Sequence, residues 1–426
     1  MLNSKELAYD LKVFLDKCPT AFQATDEIVK RLEEKGFTHL AEGDKWELKP
    51  QGRYFVVRNG SAVMAFINGT VAPAENGFKI AGAHTDSPAL KLKVGSESKY
   101  KDYHKVSVEV YGGPIINTWL DRELTISGRV SYLENNEVKS KNIFIDKPLG
   151  IIPNLAIHLG RDVNKGVEIN KQTELPVYLG SSDKESMLED LIAQEVGIEK
   201  EAILDYDLFF IPFEKALIYG QQEELISSGR LDDLAMCHSI LTALVETEEN
   251  KSTVVATFYD NEEIGSQTLQ GANSSFLEMI LQRINFCWKG TSEDYSRAIN
   301  KSFQISADQA HAVHPNYVSK HDSTYAPELN KGPVVKFSAN YRYATNSESS
   351  AYFMNICKKL NIPYQKMINR SDIPSGSTIG PVSSATSSIM TVDIGNPMFA
   401  MHSTRETMGT LDHYYSTEVF KEFNKQ

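Results

Sequence analysis

A buried strand that ends in two adjacent glutamates constrains this chain more than any other sequence feature. The apolar run at residues 252–259 has the length of a strand and leads into residues 260–265, which contain Glu262 and Glu263. Successive side chains at a strand end point in opposite directions, so the two carboxylates cannot share one face. One can then hold a metal ion while the other moves a proton. The common alternative is an acidic turn in solvent, since charged side chains are mostly exposed.

The length and charge of the chain limit its architecture and its partners. At 426 residues it exceeds the size that one hydrophobic core usually holds, so two domains are expected. With 56 acidic and 44 basic side chains the formal net charge is −12, and Lys and Arg do not gather into a basic stripe. This pattern argues against nucleic acid as a partner.

The sequence also argues against secretion and membrane insertion. No window approaches the ~20 uninterrupted apolar residues that span a bilayer, and the N-terminal residues lack the charged-then-apolar pattern of a secretory signal. The four cysteines are scattered and form no CxxC pair, which favours reduced thiols over disulfides or a cysteine-ligated zinc. We therefore expect a cytoplasmic protein that binds no membrane.

The order of the sequence patterns predicts one domain inserted into another. Helical periodicity over residues 4–35 leads into two strand-like runs joined through Asn59-Gly60, which is a hairpin pattern. The middle of the chain shows short β runs and turns, and strand–helix alternation returns in its C-terminal half. We predict a mixed-sheet α/β domain formed by residues 1–92 and 229–426, with a mostly β domain at residues 93–228 inserted into it.

Several ionisable side chains stand at or just beyond the ends of predicted strands, or at a helix start. In open α/β sheets, such carboxyl-end positions converge on one crevice in which ligands bind. A set of His, Asp and Glu without thiolates suits zinc, cobalt or manganese. Two histidines and three carboxylates can hold two ions if one carboxylate bridges them. The candidates are His84, Asp232, Glu262, Glu263, Asp308 and His402.

Each candidate also has a plainer structural interpretation. A histidine such as His84 can be a buried side chain with a hydrogen-bond partner, and Asp86, two residues further on, could fix its tautomer. Asp232 could serve only to cap the helix that follows it. Spacing alone does not choose a ligand among Asp308, His311 and His314.

Five motifs, in order along the chain, resemble those of one enzyme family. They are residues 83–88 (AHTDSP), 229–234 (GRLDDL), 260–266 (DNEEIGS), 308–317 (DQAHAVHPNY) and 401–406 (MHSTRE). Over nearly its whole length the chain is similar to the M18 metallo-aminopeptidases, the family of aspartyl aminopeptidase and yeast vacuolar aminopeptidase I.

The resemblance implies a role for each candidate. One zinc ion would be bound by His84, Asp232 and Asp308. A second would be bound by Asp232, Glu263 and His402, with Asp232 as the bridge; cobalt or manganese could replace zinc. Glu262 would be the general base and acid, and Asp86 would orient His84.

The resemblance further implies partners and a substrate pocket. The family forms large homo-oligomers, typically dodecamers built from dimers, in which the inserted domain makes dimer contacts and His158 reaches a neighbouring active site. His158 could there stabilise the oxyanion. Lys336 and Tyr343 would line the pocket for the first side chain of a peptide with a free N-terminus. Because a lysine can pair with an acid or pack along an apolar side chain, we lean slightly away from a strict acidic preference.

Two other functions are compatible with parts of this pattern. Another two-metal amidohydrolase, such as a glutamyl-type aminopeptidase, a carboxypeptidase or a deacylase, would use similar ligands. A non-catalytic scaffold would keep only the fold, but it has no physical need for paired glutamates beside two histidines. The expected function is therefore hydrolysis of the N-terminal residue from peptides, with Glu262 as the general base.

Overall fold

The computed structural model describes residues 3–166 and 168–426. The chain divides into two units. The first contains the described residues up to Asp86 together with Ala216–Met401 and Glu406–Gln426, and the second contains Ser87–Lys215 and His402–Arg405.

Helices and strands alternate in the first unit, whereas strands dominate the second. The α-helices are, in chain order, α1 (Ser4–Lys17), α2 (Ala21–Glu34), α3 (Pro73–Asn76), α4 (Leu188–Val196), α5 (Leu231–Val245), α6 (Phe276–Cys287), α7 (Ser292–Lys301), α8 (Ser347–Lys359), α9 (Ile379–Ser387) and α10 (Thr410–Asn424). The strands are β1 (Thr38–His39), β2 (Arg53–Arg58), β3 (Ala62–Ile67), β4 (Phe78–His84), β5 (Ala89–Tyr100), β6 (Tyr103–Tyr111), β7 (Glu123–Glu134), β8 (Glu137–Phe144), β9 (Gly150–Ile151), β10 (Val177–Ser181), β11 (Ile203–Pro212), β12 (Leu217–Tyr219), β13 (Leu225–Ser228), β14 (Thr253–Tyr259), β15 (Phe303–Ala307), β16 (Ala310–His311), β17 (Val334–Phe337), β18 (Gln365–Ile368), β19 (Met390–Gly395), β20 (Pro397–Phe399) and β21 (Glu406–Gly409).

The main sheet of the first unit is mixed. Its strand order is β1-β2-β3-β14-β4-β15-β19-β17-β18. Strands β14, β4, β15 and β19 run parallel, whereas β3 is antiparallel to β14 and β17 is antiparallel to β19. A smaller sheet of the same unit has the order β12-β13-β21-β20-β16. This arrangement confirms the predicted mixed α/β class.

Both faces of the main sheet are covered by helices. Along β14, Val254 and Ala256 belong to one apolar core with residues of α1, α2, α5 and α10, whereas Val255 belongs to another with residues of α6. Because successive side chains of a strand point to opposite faces, these two cores lie on the two sides of the sheet. This burial on both faces explains why residues 253–259 are apolar or small at nearly every position.

Local sequence chemistry sets the ends of several elements. Asn59 (φ 51°) and Gly60 (φ 68°) both have positive φ, as a type I′ turn requires, and they lie in the three-residue connection between Arg58 and its partner Ala62. The helical periodicity over residues 4–35 is divided between α1 and α2, because Pro19 disfavours helical backbone at the residue before it. Asn3 caps α1, accepting hydrogen bonds from the backbone N–H groups of Lys5 and Glu6 at 3.0 Å.

The second unit is built from antiparallel strands. Their order is β11-β5-β6-β10-β9-β7-β8, and β11 also pairs with β7 over residues 203–212, which closes the strands into a barrel. Its core contains Leu90, Val106, Ile126 and Phe210. The predicted contribution of this unit to dimer formation stays a prediction.

The boundaries between the two units lie at Asp86/Ser87 and Lys215/Ala216, rather than at the predicted positions 92/93 and 228/229. Strand β5 starts at Ala89 and pairs with β6 and β11, so its first residues belong with the second unit. Strands β12 and β13 join the smaller sheet of the first unit through β21, so residues 217–228 belong with the first. Every helix of the described residues is too short or too polar to cross a lipid bilayer.

Candidate active site

Three neighbouring parallel strands deliver ionisable side chains to one edge of the main sheet. His84 is the last residue of β4 and is paired in register with Tyr259 at the end of β14. Glu262 and Glu263 begin the short 3₁₀ turn Glu262–Ile264 after β14, and Asp308 follows β15. The carboxyl ends of parallel strands meet at the same edge, so the predicted convergence of these residues is present in the first unit.

His84 is buried among carboxylates. Its Nε2 lies 3.6 Å from Oδ1 of Asp232, and its Nδ1 lies 3.0 Å from the backbone carbonyl oxygen of Asp86. The Oδ1 of Asp86 is farther from this nitrogen, at 3.4 Å. Nδ1 thus faces both the backbone carbonyl oxygen and the carboxylate of Asp86, with the carbonyl oxygen nearer, and Nε2 faces Asp232.

The carboxylate of Asp86 instead organises the paired glutamates. Its Oδ1 accepts a hydrogen bond from the backbone N–H of Glu262, and its Oδ2 accepts one from Glu263, both at 3.1 Å. Asn261, which enters this turn, has a left-handed backbone (φ 62°), a conformation that asparagine tolerates better than most residues. Asp86 thus fixes the turn that carries both glutamates.

Asp232 and Asp233 precede the regular part of α5. Both have non-helical backbone angles, with ψ values of 104° and 21°, so Asp232 is not a simple helix cap. The backbone N–H of Asp232 donates to Oε2 of the buried Glu406 at 3.1 Å. Asp233, for which the sequence suggested no separate role, accepts a hydrogen bond from the backbone N–H of His84 at 3.2 Å. The two aspartates therefore hold β4, α5 and β21 together.

Among the described residues of the first unit, two sets of ligand atoms are close enough to share a metal ion. Ligand atoms of His84, Asp232 and Asp308 lie within 4.8 Å of one another, and so do those of His84, Glu262 and Glu263. Of the three alternatives after β15, Asp308 is the one in such a set. His311 is exposed, and the Nδ1 of His314 accepts a hydrogen bond from the backbone N–H of Asn316 at 3.2 Å.

Lys336 is paired with a candidate metal ligand. This side chain of β17 is buried, and its Nζ lies 3.3 Å from Oδ1 of Asp308 and 5.4 Å from the ring centre of Tyr343. Lys336 and Tyr343 are thus beside the cluster, and the ammonium charge is already balanced by Asp308.

The sequence as a whole matches a family of metal-dependent peptidases. The family model described as "Aminopeptidase I zinc metalloprotease (M18)" matches residues 14–424. This chain belongs to the M18 aminopeptidase family. It is therefore a member of a family of metal-dependent peptidases.

Individual relatives match over the full length of this M18 chain. The probable M18 family aminopeptidase 2 of Clostridium novyi is 46% identical over 430 residues, which cover 99% of both chains. A structure of an Ape4 and Nbr1 complex contains a chain 38% identical, with a TM-score of 0.95, covering 99% of this chain and 85% of that one. A structure of an S. cerevisiae mApe1 dodecamer is 27% identical, with a TM-score of 0.86, covering 99% and 97%.

Burial and mutual repulsion raise the pKa values of several carboxyls in this M18 site. Burial raises the pKa of Glu262 to about 8, and the charges of Asp308, Asp86 and Asp232 add to the rise while His84 opposes it. Burial also raises the pKa of Asp308, against the lowering effect of Lys336. Burial lowers the pKa of His84, but hydrogen bonds with Asp232 and Asp86 outweigh it, so this pKa is well above its usual value.

These shifts show that the donor set fits a divalent cation. Carboxylates crowded in a buried cluster can all be ionised only if a cation balances their charge, and otherwise some of them are protonated. The donors are oxygen and imidazole nitrogen without thiolate, which suits zinc, cobalt or manganese. Asp232 and Asp308 together with His84 are the residues best placed to bind such an ion.

His402 and His158 belong to the second unit. The Nδ1 of His402 lies 3.0 Å from the carbonyl oxygen of Gly113, which places the ring proton on Nδ1 and leaves Nε2 as the metal-binding nitrogen of that tautomer. His158 is exposed and lies in the loop between β9 and β10. The assignment of His402 to the second metal and of His158 to a neighbouring subunit both stay predictions.

Proposed function

We propose that this chain removes the N-terminal residue from peptides with the help of two divalent metal ions, zinc in the first instance. The observation that carries the proposal is the pair of overlapping ligand sets around His84, one with Asp232 and Asp308 and the other with Glu262 and Glu263. Membership of a zinc metalloprotease family supports it. His84, Asp232 and Asp308 would bind one ion, and Asp232, Glu263 and His402 the other.

The metals would supply a water of lowered pKa, polarise the scissile carbonyl and anchor the free α-amino group. Glu262 is the proposed general base and acid: it takes the proton of the attacking water and delivers it to the leaving amine. Its backbone N–H donates to Asp86, as does that of Glu263, so one carboxylate holds the turn that carries both side chains. Bound cations would lower the pKa of Glu262 from about 8, so that the carboxylate is ionised when it is needed as a base.

The test separates metal binding from proton transfer. Glu262→Gln should keep the metal content of the parent chain and lose activity by at least about a hundredfold, since general acid–base catalysis contributes 10²–10⁴-fold. Elemental analysis and kcat on N-terminal amino-acid amides are the two measurements. Near-normal kcat would contradict the role of Glu262. Activity on N-acetylated peptides as well as free ones would instead indicate a deacylase or another amidohydrolase.

The environment of Lys336 bears on which first residues of a peptide substrate are accepted. Because Asp308 already balances its charge at 3.3 Å, we propose that neutral as well as acidic first residues are accepted. A panel of amides with acidic, basic and apolar first residues tests this point. Activity confined to Asp and Glu amides would contradict it.

We also propose a homo-oligomer, a dodecamer built from dimers. The support is the relative whose structure is described as a dodecamer, at 27% identity. Light scattering should give a mass near twelve times the chain mass of 47.7 kDa. A stable monomer at working concentration would contradict this proposal and leave the proposed chemistry unaffected.

A further inference from the structure

Asp393 is a buried carboxylate that the proposed mechanism does not use. It lies in β19 with 0% of its surface exposed. No Lys or Arg of the described residues forms an ion pair with it. An isolated buried charge is costly unless hydrogen bonds stabilise it, so its partners indicate what it does.

Three donors from three separate segments converge on this carboxylate. Ser306 Oγ donates to Oδ1 at 2.6 Å, and Thr378 Oγ1 donates to the same oxygen at 2.7 Å. The backbone N–H of Ala344 donates to Oδ2 at 2.6 Å. An apolar side chain would fill this space equally well but would hold none of the three segments.

The close approach of α9 shows how tightly the carboxylate is enclosed. A Cβ added at Gly380, in the first turn of α9, would lie 2.3 Å from both Asp393 oxygens. The helix can reach this carboxylate only because residue 380 is glycine.

The segments joined by Asp393 surround the candidate metal ligand Asp308. Ser306 precedes Asp308 by two residues, and Ala344 follows Tyr343, whose ring stands over Lys336. Asp393 therefore holds the segment of Tyr343 through the backbone N–H of Ala344, and it holds the start of α9 through Thr378.

We infer that Asp393 is a positioning residue of the substrate-side-chain pocket. By joining β15, the segment of Tyr343 and the start of α9, it fixes Tyr343 and Lys336 beside Asp308 and so sets which first residues are accepted. The link to substrate choice rests on the proposed aminopeptidase function, whereas the fixing of the Tyr343 segment rests on the structure alone.

The test uses Asp393→Ala, with Ser383→Ala as the matched control. Ser383 accepts a hydrogen bond from Gln304 at 3.0 Å and so ties α9 to the same strand, β15, without contacting the segment of Tyr343. Arg342 is exposed next to Tyr343, so tryptic cleavage after it reports on that segment. Cleavage after Arg342 should be at least about tenfold faster in Asp393→Ala and unchanged in Ser383→Ala, because cleavage follows the population of the open form.

The second measurement is KM across the amide panel in the metal-loaded oligomer. Asp393→Ala should raise KM about tenfold or more for the preferred first residue, with a smaller change in kcat, so that the spread of kcat/KM across the panel shrinks. Asp393→Asn should restore much of the preference, because its oxygen can accept from Ala344 while its amide donates to the two hydroxyls. Ser383→Ala should leave the preference unchanged.

Each arm has a result that overturns the inference. Equal cleavage after Arg342 in Asp393→Ala and the parent chain shows that this carboxylate does not hold the segment. A preference changed equally by Ser383→Ala shows a general effect of α9 packing. If the parent chain hydrolyses no amide, the proposed function fails, and the cleavage arm still decides the positioning role.

Discussion

Oδ1 of Asp86 lies 3.1 Å from the backbone nitrogen of Glu262, and this contact determines how the paired glutamates can act. Its second oxygen holds Glu263 in the same way. The carboxylate thus fixes the backbone of the proposed base and of the proposed metal ligand at once. Its hydrogen bonds hold the backbone of both residues, and its charge also raises the pKa of Glu262.

Replacing Asp86 by Asn should therefore damage a site whose proposed ligands are all present. An asparagine offers one acceptor for two backbone N–H groups, and its amide would oppose the other. Changing such supporting partners typically costs 10–100-fold in activity or metal affinity, and we expect roughly that loss. Zinc titration and kcat on the same preparation are the measurements. The control is Asp260→Asn. Asp260 is a neighbouring buried carboxyl that accepts a hydrogen bond from the backbone N–H of Asn261, and its replacement should reduce activity and zinc affinity less.

Asp232→Asn should lose both metal ions if this carboxylate bridges them. A neutral amide is a poor ligand for two cations, and one missing bridge weakens both sites. Elemental analysis after dialysis against trace zinc should find far less than one ion per chain. The control is His311→Ala. His311 is an exposed histidine that the sequence left as an alternative ligand to Asp308, and its replacement should leave the metal content of the parent chain unchanged. Two ions in Asp232→Asn would refute the bridge.

The sequence predicts the ends of strands better than it predicts the contacts between individual side chains. The apolar run at residues 252–259 was predicted to form a strand, and Thr253–Tyr259 forms β14. The parallel pairing of β14 and β15 with β4 brings His84 and Asp308 to one edge, as the carboxyl-end rule requires. This part of the site could be predicted because it depends only on periodicity and strand direction.

Contacts between distant segments could not be predicted in the same way. The sequence assigned the ring N–H of His84 to the carboxylate of Asp86, and the folded chain also brings the backbone carbonyl oxygen of Asp86 within 3.0 Å of Nδ1, nearer than the carboxylate at 3.4 Å. No motif of the sequence points to Asp393, although a charge within an apolar strand is a recognisable anomaly. Its three donors come from residues 306, 344 and 378, and only the folded chain brings them together.

Metal binding should release protons at neutral pH. Burial and neighbouring carboxylates raise the pKa of Glu262 to about 8, and the pKa of His84 is also raised, so the metal-free site retains protons at pH 7. A bound cation expels them, and the apparent affinity should therefore rise with pH between 6 and 8. Calorimetry in buffers of different ionisation enthalpy should show release of about one proton or more per site. Glu262→Gln should release about one fewer, and equal release would contradict a protonated Glu262 in the metal-free chain.

A buried histidine pair should make the fold sensitive to acid. Nδ1 of His238 lies 2.9 Å from Nε2 of His413, and burial lowers the pKa of both. The folded chain keeps them neutral while the unfolded chain binds protons below its ordinary pKa of about 6.5. Their contribution to stability is therefore full above pH 6.5 and falls as the pH drops, by up to about 1.4 kcal/mol per pH unit for each histidine.

Urea unfolding of the metal-free chain at pH 7.5, 6.5 and 5.5 measures this loss. His413→Asn should be less stable than the parent at pH 7.5 but should lose less stability on acidification, because one of the two groups no longer titrates. Other groups of the active site also titrate in this range. The comparison is therefore between the pH dependence of the unfolding free energy in the parent chain and that in the variant. His39→Asn, in an exposed histidine, should have the parent slope. An unchanged slope in His413→Asn would show that the pair does not set the acid response.

His158 lies in an apolar stretch of the second unit that is open to solvent in the single chain. Leu155 and Leu159 on either side of it are 60% and 76% exposed. Exposed apolar side chains grouped in one loop are typical of a surface that another subunit covers. If His158 acts in a neighbouring active site, defects in two different chains should complement each other.

Mixing His158→Ala chains with Glu262→Gln chains tests this directly. In a mixed dimer, one active site would combine the intact Glu262 of the first chain with the intact His158 of the second. With random pairing, half of the dimers are mixed and one of their two sites is complete, so about a quarter of the parent activity should return. In the control mixture of Glu262→Gln and Asp232→Asn chains, every active site lacks either Glu262 or Asp232 of its own chain. No activity should therefore return, whether or not His158 acts across the interface. Failure of the first mixture to exceed the second would show that His158 does not act across the interface.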